Sequence, residues 1–143
     1  MKSFFLTVMA LLLISSVYSQ DVIITEDMSA LIRRGNKVFL EIADKETSVS
    51  GIYLVSAFNE WGYWTVVEDV QDAQFIIAIH VNMSEKKAAR LNAETYAEFK
   101  TLENQVFNKT RSFMGGAAIN NGFNAYKGAA MVLMNRYFKR EFK

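Results

Sequence analysis

His80 is the only histidine of the chain and the side chain best suited to proton transfer near neutral pH. A histidine acts as a general base only when a nucleophile or a carboxylate lies beside it. Alternation along the segment from Phe75 to Met83 places His80 on the face opposite Ile77 and Ile79. We expect a structural or partly exposed histidine, and a small hydrolase-like enzyme that uses His80 is the alternative.

Two other clusters resemble ligand sites only in part. Glu68, Asp69 and Asp72 lie in a polar hairpin turn, but they lack the glycine and the spacing of a calcium-binding loop. Gly115 and Gly116 precede a helix, but neither Gly-Lys-Ser/Thr nor a GxGxxG pattern accompanies them. We interpret the first cluster as a solvated turn and the second as a flexible loop, and we expect neither a metal nor a cofactor.

Aromatic residues gather at Trp61, Tyr63 and Trp64, where a predicted helix meets a strand. Alternation along a strand sends Tyr63 and Trp64 to opposite faces, so we expect at least one of them to be exposed or covered by a partner. Exposed tryptophan and tyrosine rings can anchor protein or glycan contacts. These three residues, with His80 and Tyr126, are the candidate binding residues, although a role in the core or at its rim is favoured for the aromatic group.

The residues from Met1 to Ser19 have the composition of a cleaved secretory signal peptide. Lys2 provides the positive charge, Phe4 to Ile14 the apolar run, and residues 17–19 a cleavage site before Gln20. Because the chain contains no cysteine, neither a lipoprotein anchor nor a disulfide framework is expected. We expect a single domain over residues 20–143 that is exported in soluble form to the periplasm or the medium, without a stable membrane anchor.

The charge of this domain is balanced. Lys2 lies in the signal, which leaves 15 basic and 15 acidic side chains in the remaining 124 residues, with His80 neutral. Such a domain lacks the basic excess that favours nucleic acid or anionic lipid. We therefore expect a protein partner, or self-association, and no nucleic acid.

Hydrophobic periodicity divides the domain into strands and helices. We predict an edge strand and a helical turn over Asp21 to Gly35, a strand over Lys37 to Ala43, a helix over Thr47 to Trp61 ended by Gly62, strands over Tyr63 to Val67, Ala73 to Met83 and Val106 to Met114, a small-residue loop over Gly115 to Gly122, and a closing helix over Asn124 to Phe142. The predicted inward face of the closing helix consists of Tyr126, Ala129, Ala130, Leu133 and Tyr137.

The segment from Ser84 to Asn104 fits two periods. Its composition, rich in alanine, glutamate, lysine and leucine, favours a helix. A period of two separates apolar from polar residues more cleanly. The apolar face then holds Ala89, Leu91, Ala93, Ala97 and Phe99, and the polar face Arg90, Asn92, Glu94, Glu98 and Lys100. We therefore predict a strand of a long antiparallel meander.

The passage from Trp61 to Ile77 resembles a pattern of small bacterial envelope domains. It combines a helix ending in Trp61-Gly62, the strand Tyr63-Trp64-Thr65-Val66-Val67, an acidic turn, and Asp72-Ala73-Gln74-Phe75-Ile76-Ile77 at the start of a long strand. It is similar to the amino-terminal domain of the Tol-system TolB protein and to related domains of curli-secretion and penicillin-binding-protein-activator lipoproteins. Residues 121–136 resemble the closing helix of that architecture, as found in uncharacterised secreted proteins of the Bacteroidetes type. The resemblance implies binding or assembly in the envelope rather than chemistry.

The predicted fold is a two-layer α+β sandwich, with a mainly antiparallel sheet of about five strands and both helices on one face. Its other face and at least one edge strand are then open, and an open edge can accept another strand. We expect a non-catalytic exported binding or assembly module of the bacterial cell envelope. Besides the hydrolase, the remaining alternative is a carrier of a small apolar ligand between the sheet and the C-terminal helix, with Tyr126, Tyr137 and Phe138 lining its cavity.

Overall fold

A computed structural model describes residues 26–43, 48–83, 90–118 and 124–143 of the chain. The helices are α1 (Glu26–Leu31), α2 (Val49–Trp61), α3 (Ala125–Leu133) and α4 (Lys139–Glu141), and the strands are β1 (Lys37–Ile42), β2 (Thr65–Val67), β3 (Phe75–Met83), β4 (Arg90–Lys100), β5 (Val106–Lys109) and β6 (Phe113–Ala118). A 3₁₀ helix, Val70–Asp72, precedes β3, and a π-helical turn, Met134–Phe138, joins α3 to α4. The predicted signal peptide and the predicted edge strand before Glu26 lie outside the described residues.

The strands form one mixed sheet in the order β2-β1-β3-β4-β5, with β6 also paired to β4. β1 is parallel to β2 and to β3, and the pairs that β4 makes with β3, β5 and β6 are antiparallel. The predicted α+β sandwich is confirmed. The predicted long antiparallel meander is wrong in one respect, because β2 and β3 lie on opposite sides of β1 instead of forming a hairpin. The apolar centre of β1, at Val38 and Leu40, is thereby covered by a strand on each side.

The ambiguous segment is a strand over residues 90–100, as predicted from its period of two. β4 pairs with β3 from Met83↔Ala93 to Ile76↔Lys100. Ala93, Ala97 and Phe99 are fully buried on the face that was predicted to be apolar. This long strand supports both β5 and β6, which follow one another along its outer side.

The two long helices pack on one face of the sheet, as predicted. Helix α2 begins at Ser48, whose Oγ accepts a hydrogen bond from the Gly51 amide at 3.0 Å, and ends at Gly62 in the left-handed conformation, with φ +62°. The side chains that fill the space between the layers include Val38, Leu40, Leu54, Phe58, Ile77, Ile79, Phe99, Leu133, Met134 and Phe138. The opposite face of the sheet carries the polar side chains of β4.

The closing helix is confirmed, with a difference at each end. Asn124 caps it by accepting hydrogen bonds from the amides of Tyr126 and Lys127. Tyr126 is exposed, contrary to its predicted inward position, because it lies in the first turn and outside the part of the helix that is packed on the sheet. The π-helical turn adds a residue to the helical period and brings Met134 and Phe138 into the core.

The predicted loop at Gly115 and Gly116 is wrong, because both glycines belong to β6 and pair with Ala93 and Asn92 of β4. A Cβ atom on Gly115 would overlap the backbone of Ala129 in α3. Glycine is therefore required here for the close approach of a helix to a strand. Its role is packing rather than loop flexibility.

Replacing Gly115 by alanine should destabilise the protein by about 2 kcal/mol, since α3 must move away from β6 to admit the methyl group. The opposite sign is usual for a glycine in a strand, where alanine stabilises. Urea unfolding followed by circular dichroism measures the difference. The neighbouring Met114→Ala, which changes a 52 % exposed side chain, should shift stability by no more than about 0.5 kcal/mol. Equal stabilities of Gly115→Ala and the unsubstituted protein would contradict the packing assigned to Gly115.

Candidate functional site

The predicted aromatic group, Trp61, Tyr63 and Trp64, lies at the end of the core rather than on an open surface. Trp64 is 2 % exposed, and its indole Nε1 donates a hydrogen bond to the Ile32 carbonyl at 3.1 Å. Trp61 and Tyr63 are half-buried and stack on each other with ring centroids 5.1 Å apart. All three rings contact Phe142 near the end of the chain. Their main contribution is to join α2 to the C-terminal segment.

The expectation that Tyr63 and Trp64 point to opposite faces is wrong. Strand β2 begins only at Thr65, so the two aromatic residues belong to the connection after α2, where strand alternation does not apply. Their rings meet edge to face, with centroids 5.0 Å apart. Because Trp64 is shielded by its neighbours, Trp61 and Tyr63 are the members of the group that retain an accessible surface.

His80 lies on the open face of the sheet within a cross-strand group of four side chains. Its ring stacks on Tyr96 of β4 with centroids 4.6 Å apart. Its Nε2 lies 3.5 Å from Oε2 of Glu98, whose other oxygen accepts a hydrogen bond from Nζ of Lys109 at 3.0 Å. The Lys109 ammonium also lies 4.3 Å from the centroid of the Tyr96 ring. The sheet thus brings together two charged side chains, Glu98 and Lys109, and the rings of His80 and Tyr96 from strands β3, β4 and β5.

Electrostatics in this group keep Glu98 ionised. The hydrogen bond from Lys109 is the main cause that lowers the pKa of the Glu98 carboxyl, and the positive charges of Lys109 and of a protonated His80 add to it. The same interaction raises the pKa of Lys109. A catalytic histidine needs an ionised carboxylate beside it, but here Lys109 engages one oxygen of Glu98 and offsets its negative charge, so Glu98 is less suited to assist His80 as a base.

The hydrolase alternative predicts a carboxylate beside His80 in a concave pocket. The carboxylate is there, but His80 lies on the face of a central strand, and its described contacts are Tyr96 and Glu98. Neither of these is a serine or threonine nucleophile. The arrangement is that of a surface network which ties three strands together.

Tyr126 lines a cleft of about 480 Å³ at the other end of the molecule, where α2 and α3 begin. Apolar side chains of β1 and β3, Ile42, Ile79 and Val81, form its wall, and Ser50 lies near the start of α2. The carrier alternative placed Tyr126, Tyr137 and Phe138 around one cavity. The structure separates them, because Phe138 is fully buried among Phe58, Trp64 and Phe99, at the opposite end of the helix.

The acidic cluster at Glu68, Asp69 and Asp72 is part of the connection from β2 to β3. Asp69 caps the 3₁₀ helix by accepting a hydrogen bond from the Gln71 amide at 2.8 Å. Among the residues that the structure describes, no group of three or more histidine, aspartate or glutamate side chains is arranged to hold a metal ion. The polar-turn interpretation holds in composition, although the connection is not a hairpin.

The outer edge formed by β6 is a feature that the sequence interpretation missed. Within the described part of the chain, β6 pairs with β4 on one side and with no strand on the other. Its six residues, Phe113–Ala118, include neither a charged residue nor proline, and Met114 is 52 % exposed. Charges, prolines and bulges usually protect strand edges from further pairing. This edge lacks them.

A signal for this region was present in the sequence. From Asn104 to Arg140 there is no acidic residue, whereas there are six basic ones: Lys109, Arg111, Lys127, Arg136, Lys139 and Arg140. The balanced charge of the whole domain conceals this local excess. The fold gathers part of it beside β6, because the C-terminal helix returns over that strand.

The comparisons place the fold among solved bacterial proteins. A minor lipoprotein from Acinetobacter baumannii superposes with a TM-score of 0.50 at 11 % identity, covering 74 % of this chain and 94 % of that one. The likeness is to the fold alone. A PelC dodecamer from Paraburkholderia phytofirmans gives a TM-score of 0.48 at 15 % identity, covering 70 % of this chain and 87 % of that one. An uncharacterized lipoprotein B from Nitrosomonas europaea gives 0.45 at 11 %, covering 77 % and 76 %.

No protein-family model matches the chain, and no curated protein matches it. The neighbour from Acinetobacter baumannii is a lipoprotein, and the likeness to it is one of fold alone. Among the described helices, none has both the length and the apolar character needed to span a bilayer.

Removing the Lys109 charge should raise the pKa of Glu98 toward the ordinary value of a glutamate. We expect this shift in Lys109→Gln and not in Lys100→Gln, a matched variant whose lysine pairs with Glu41 at 2.9 Å on the same face. A carboxyl ¹³C titration by nuclear magnetic resonance measures it. Because the folded-state pKa of Glu98 is lowered, the pair stabilises the protein above the unfolded-state pKa, and this contribution disappears as pH falls through the folded-state value. An unchanged Glu98 pKa in Lys109→Gln would contradict the assigned contact.

Proposed function

We propose that the chain is an exported, non-catalytic binding or assembly module of the bacterial cell envelope, and that it engages its partner through the edge of its sheet at β6. The observation that carries the proposal is the open edge itself. Six residues without charge or proline are paired on one side within the described residues. A partner strand gains the backbone hydrogen bonds that such an edge leaves free.

The opposite edge is less suited to the same role. β2 is only three residues long and pairs with β1 through Lys37↔Thr65 to Phe39↔Val67. A short edge strand offers few backbone groups in line, and shortness is one of the ways in which proteins protect sheet edges. β6 is twice as long, and β4 fixes its register over six residue pairs. We therefore assign the binding edge to β6.

The non-catalytic part of the proposal is supported by the surroundings of His80. The carboxylate beside it is shared with Lys109, and both side chains belong to a network on the sheet surface. Export is supported by the predicted signal peptide at Met1 to Ser19. The residue after the predicted cleavage site is Gln20 and not the cysteine that carries a lipid anchor. Together these observations favour a soluble exported protein that works by contact.

The proposal predicts that partner capture depends on β6. The protein, purified after export, carries a photo-crosslinking amino acid at Ser112, an exposed residue that directly precedes β6, both in the unsubstituted chain and in each variant. It is mixed with the envelope fraction of its own cells. Placing two charges on the edge, by Met114→Glu with Gly116→Glu, should abolish capture of the partner that crosslinks. The control, Thr65→Glu with Asn82→Glu, makes the same change in charge on β2 and on the central strand β3 and should retain capture.

Two outcomes would overturn the proposal. One is the absence of any crosslinked protein that the edge variant loses. The other is equal loss of the partner in the edge variant and in the control, which would place the contact elsewhere. Circular dichroism of both variants verifies that the fold is kept.

A further inference from the structure

A groove runs along β6, between this strand and the outer side of the C-terminal helix. It has a volume of about 310 Å³ and is lined by Gly116, Gly128, Met131, Val132, Asn135 and Arg136. The floor is mainly backbone and apolar side chain, because two of the lining residues are glycines. The groove exists because α3 rests directly on Gly115, which leaves the helix at the margin of the sheet.

A strand added to β6 would lie about 4.8 Å beyond it, alongside this groove. Every second side chain of that strand would point to the helical side of the sheet and toward Met131 and Val132. The groove is shallow and apolar, so it suits aliphatic side chains of moderate size. The edge and the groove therefore favour the same ligand, an extended segment with apolar residues at alternate positions.

The groove ends in a basic hollow at the start of β6. Arg136 lines both the groove and this hollow, which also contains Arg111 and Arg140. The three guanidinium groups are exposed and form no ion pair within the described ranges, whereas Lys109 is engaged by Glu98. Among the described residues, Glu141 is the one acidic residue that lines the hollow. Arg111 lies over the Phe113 ring, with its guanidinium 5.1 Å from the ring centroid. Three arginines without an ion-pair partner beside an open edge favour an acidic ligand, because guanidinium groups bind carboxylates through paired hydrogen bonds.

We propose that β6 accepts an extended segment of a partner protein, with apolar side chains in the groove and acidic side chains against Arg111, Arg136 and Arg140. This inference rests on the proposed function and adds the chemistry of the partner to it. If the added strand is antiparallel to β6, as β4 is, its acidic residues lie toward its carboxyl end.

A second copy of this chain fits the surface less well. The sequence stretch from Asn104 to Arg140, which contains β6, has no acidic residue, and Glu141 is the acidic residue found in the hollow, so pairing of β6 with β6 supplies few counter-charges for the arginines. It would also bring two basic regions into one assembly, which costs free energy at low ionic strength. The charge of the surface thus favours a different protein as the partner.

Synthetic peptides test the inference directly. The probe is a fluorescein-labelled peptide of alternating valine and threonine that ends in aspartate and glutamate, and its counterpart ends in two lysines. Fluorescence anisotropy with the protein purified after export should show binding of the acidic peptide, weakened by salt, and little binding of the basic one. Hydrogen exchange in the complex should show new protection at residues 113–118.

Charge reversal in the hollow provides the matched pair of variants. Arg136→Glu with Arg140→Glu should raise the Kd of the acidic peptide by about tenfold or more, since two charge-assisted contacts are lost. Arg33→Glu with Arg34→Glu makes the same change in net charge near α1 and should leave its affinity within about twofold, because screening at physiological salt limits distant charges.

Several results would overturn the inference. They are equal binding of the two peptides, equal effects of the two double variants, absence of binding, or new protection outside β6. A concentration-dependent dimer with protected β6 amides, seen by sedimentation with the protein alone, would make a second copy the occupant. If the envelope partner still depends on β6 while the peptides fail to discriminate, the proposed function stands and the acidic chemistry assigned to its partner is wrong.

Discussion

The contact between Gly115 and the backbone of Ala129 determines where the C-terminal helix lies. Because Gly115 has no Cβ, α3 rests directly on the outermost strand instead of being held away from it by a side chain. This position has two consequences. The helix reaches the core through Leu133, Met134 and Phe138, and its other side overhangs the edge of β6, where the groove forms. Stability of the fold and shape of the binding edge therefore depend on one close approach.

The two faces of the sheet make different kinds of contact. The face toward the helices is filled by aliphatic and aromatic side chains, with Trp64 as a shielded member whose indole is hydrogen-bonded to Ile32. The other face is held by cross-strand pairs between charged residues, Lys100 with Glu41 and Lys109 with Glu98. Such partly exposed pairs contribute little stability individually. Their effect here is to fix the positions of side chains on an open surface, and the arginines beside β6 remain available.

Local patterns sufficed for the elements whose periodicity matches their surroundings. The period of two in β4 was a better predictor than its helical composition, because alternate residues of that strand face the core. The helical pattern of apolar residues that ends at Gly62 correctly located α2. They failed where distant parts of the chain decide the outcome. Gly115 and Gly116 have the local character of a loop, yet pairing with β4 and packing under Ala129 make them a strand. Likewise, β2 pairs with β1 and not with β3, the next strand in the sequence, and no local pattern encodes that choice.

The residue types of the candidate site were predictable from the sequence, but their spatial arrangement was not. The basic stretch from Asn104 to Arg140 can be seen in the sequence, whereas its position beside an uncharged edge depends on the return of the C-terminal helix over β6.

Residue-resolved hydrogen exchange of the free protein, purified after export, tests the central claim that β6 is an open edge. Alternate amides of residues 113–118, which point away from β4, should exchange rapidly, while the amides of β3, which is paired on both sides, exchange slowly. Uniform strong protection along β6 would show that the edge is already occupied and would contradict the account.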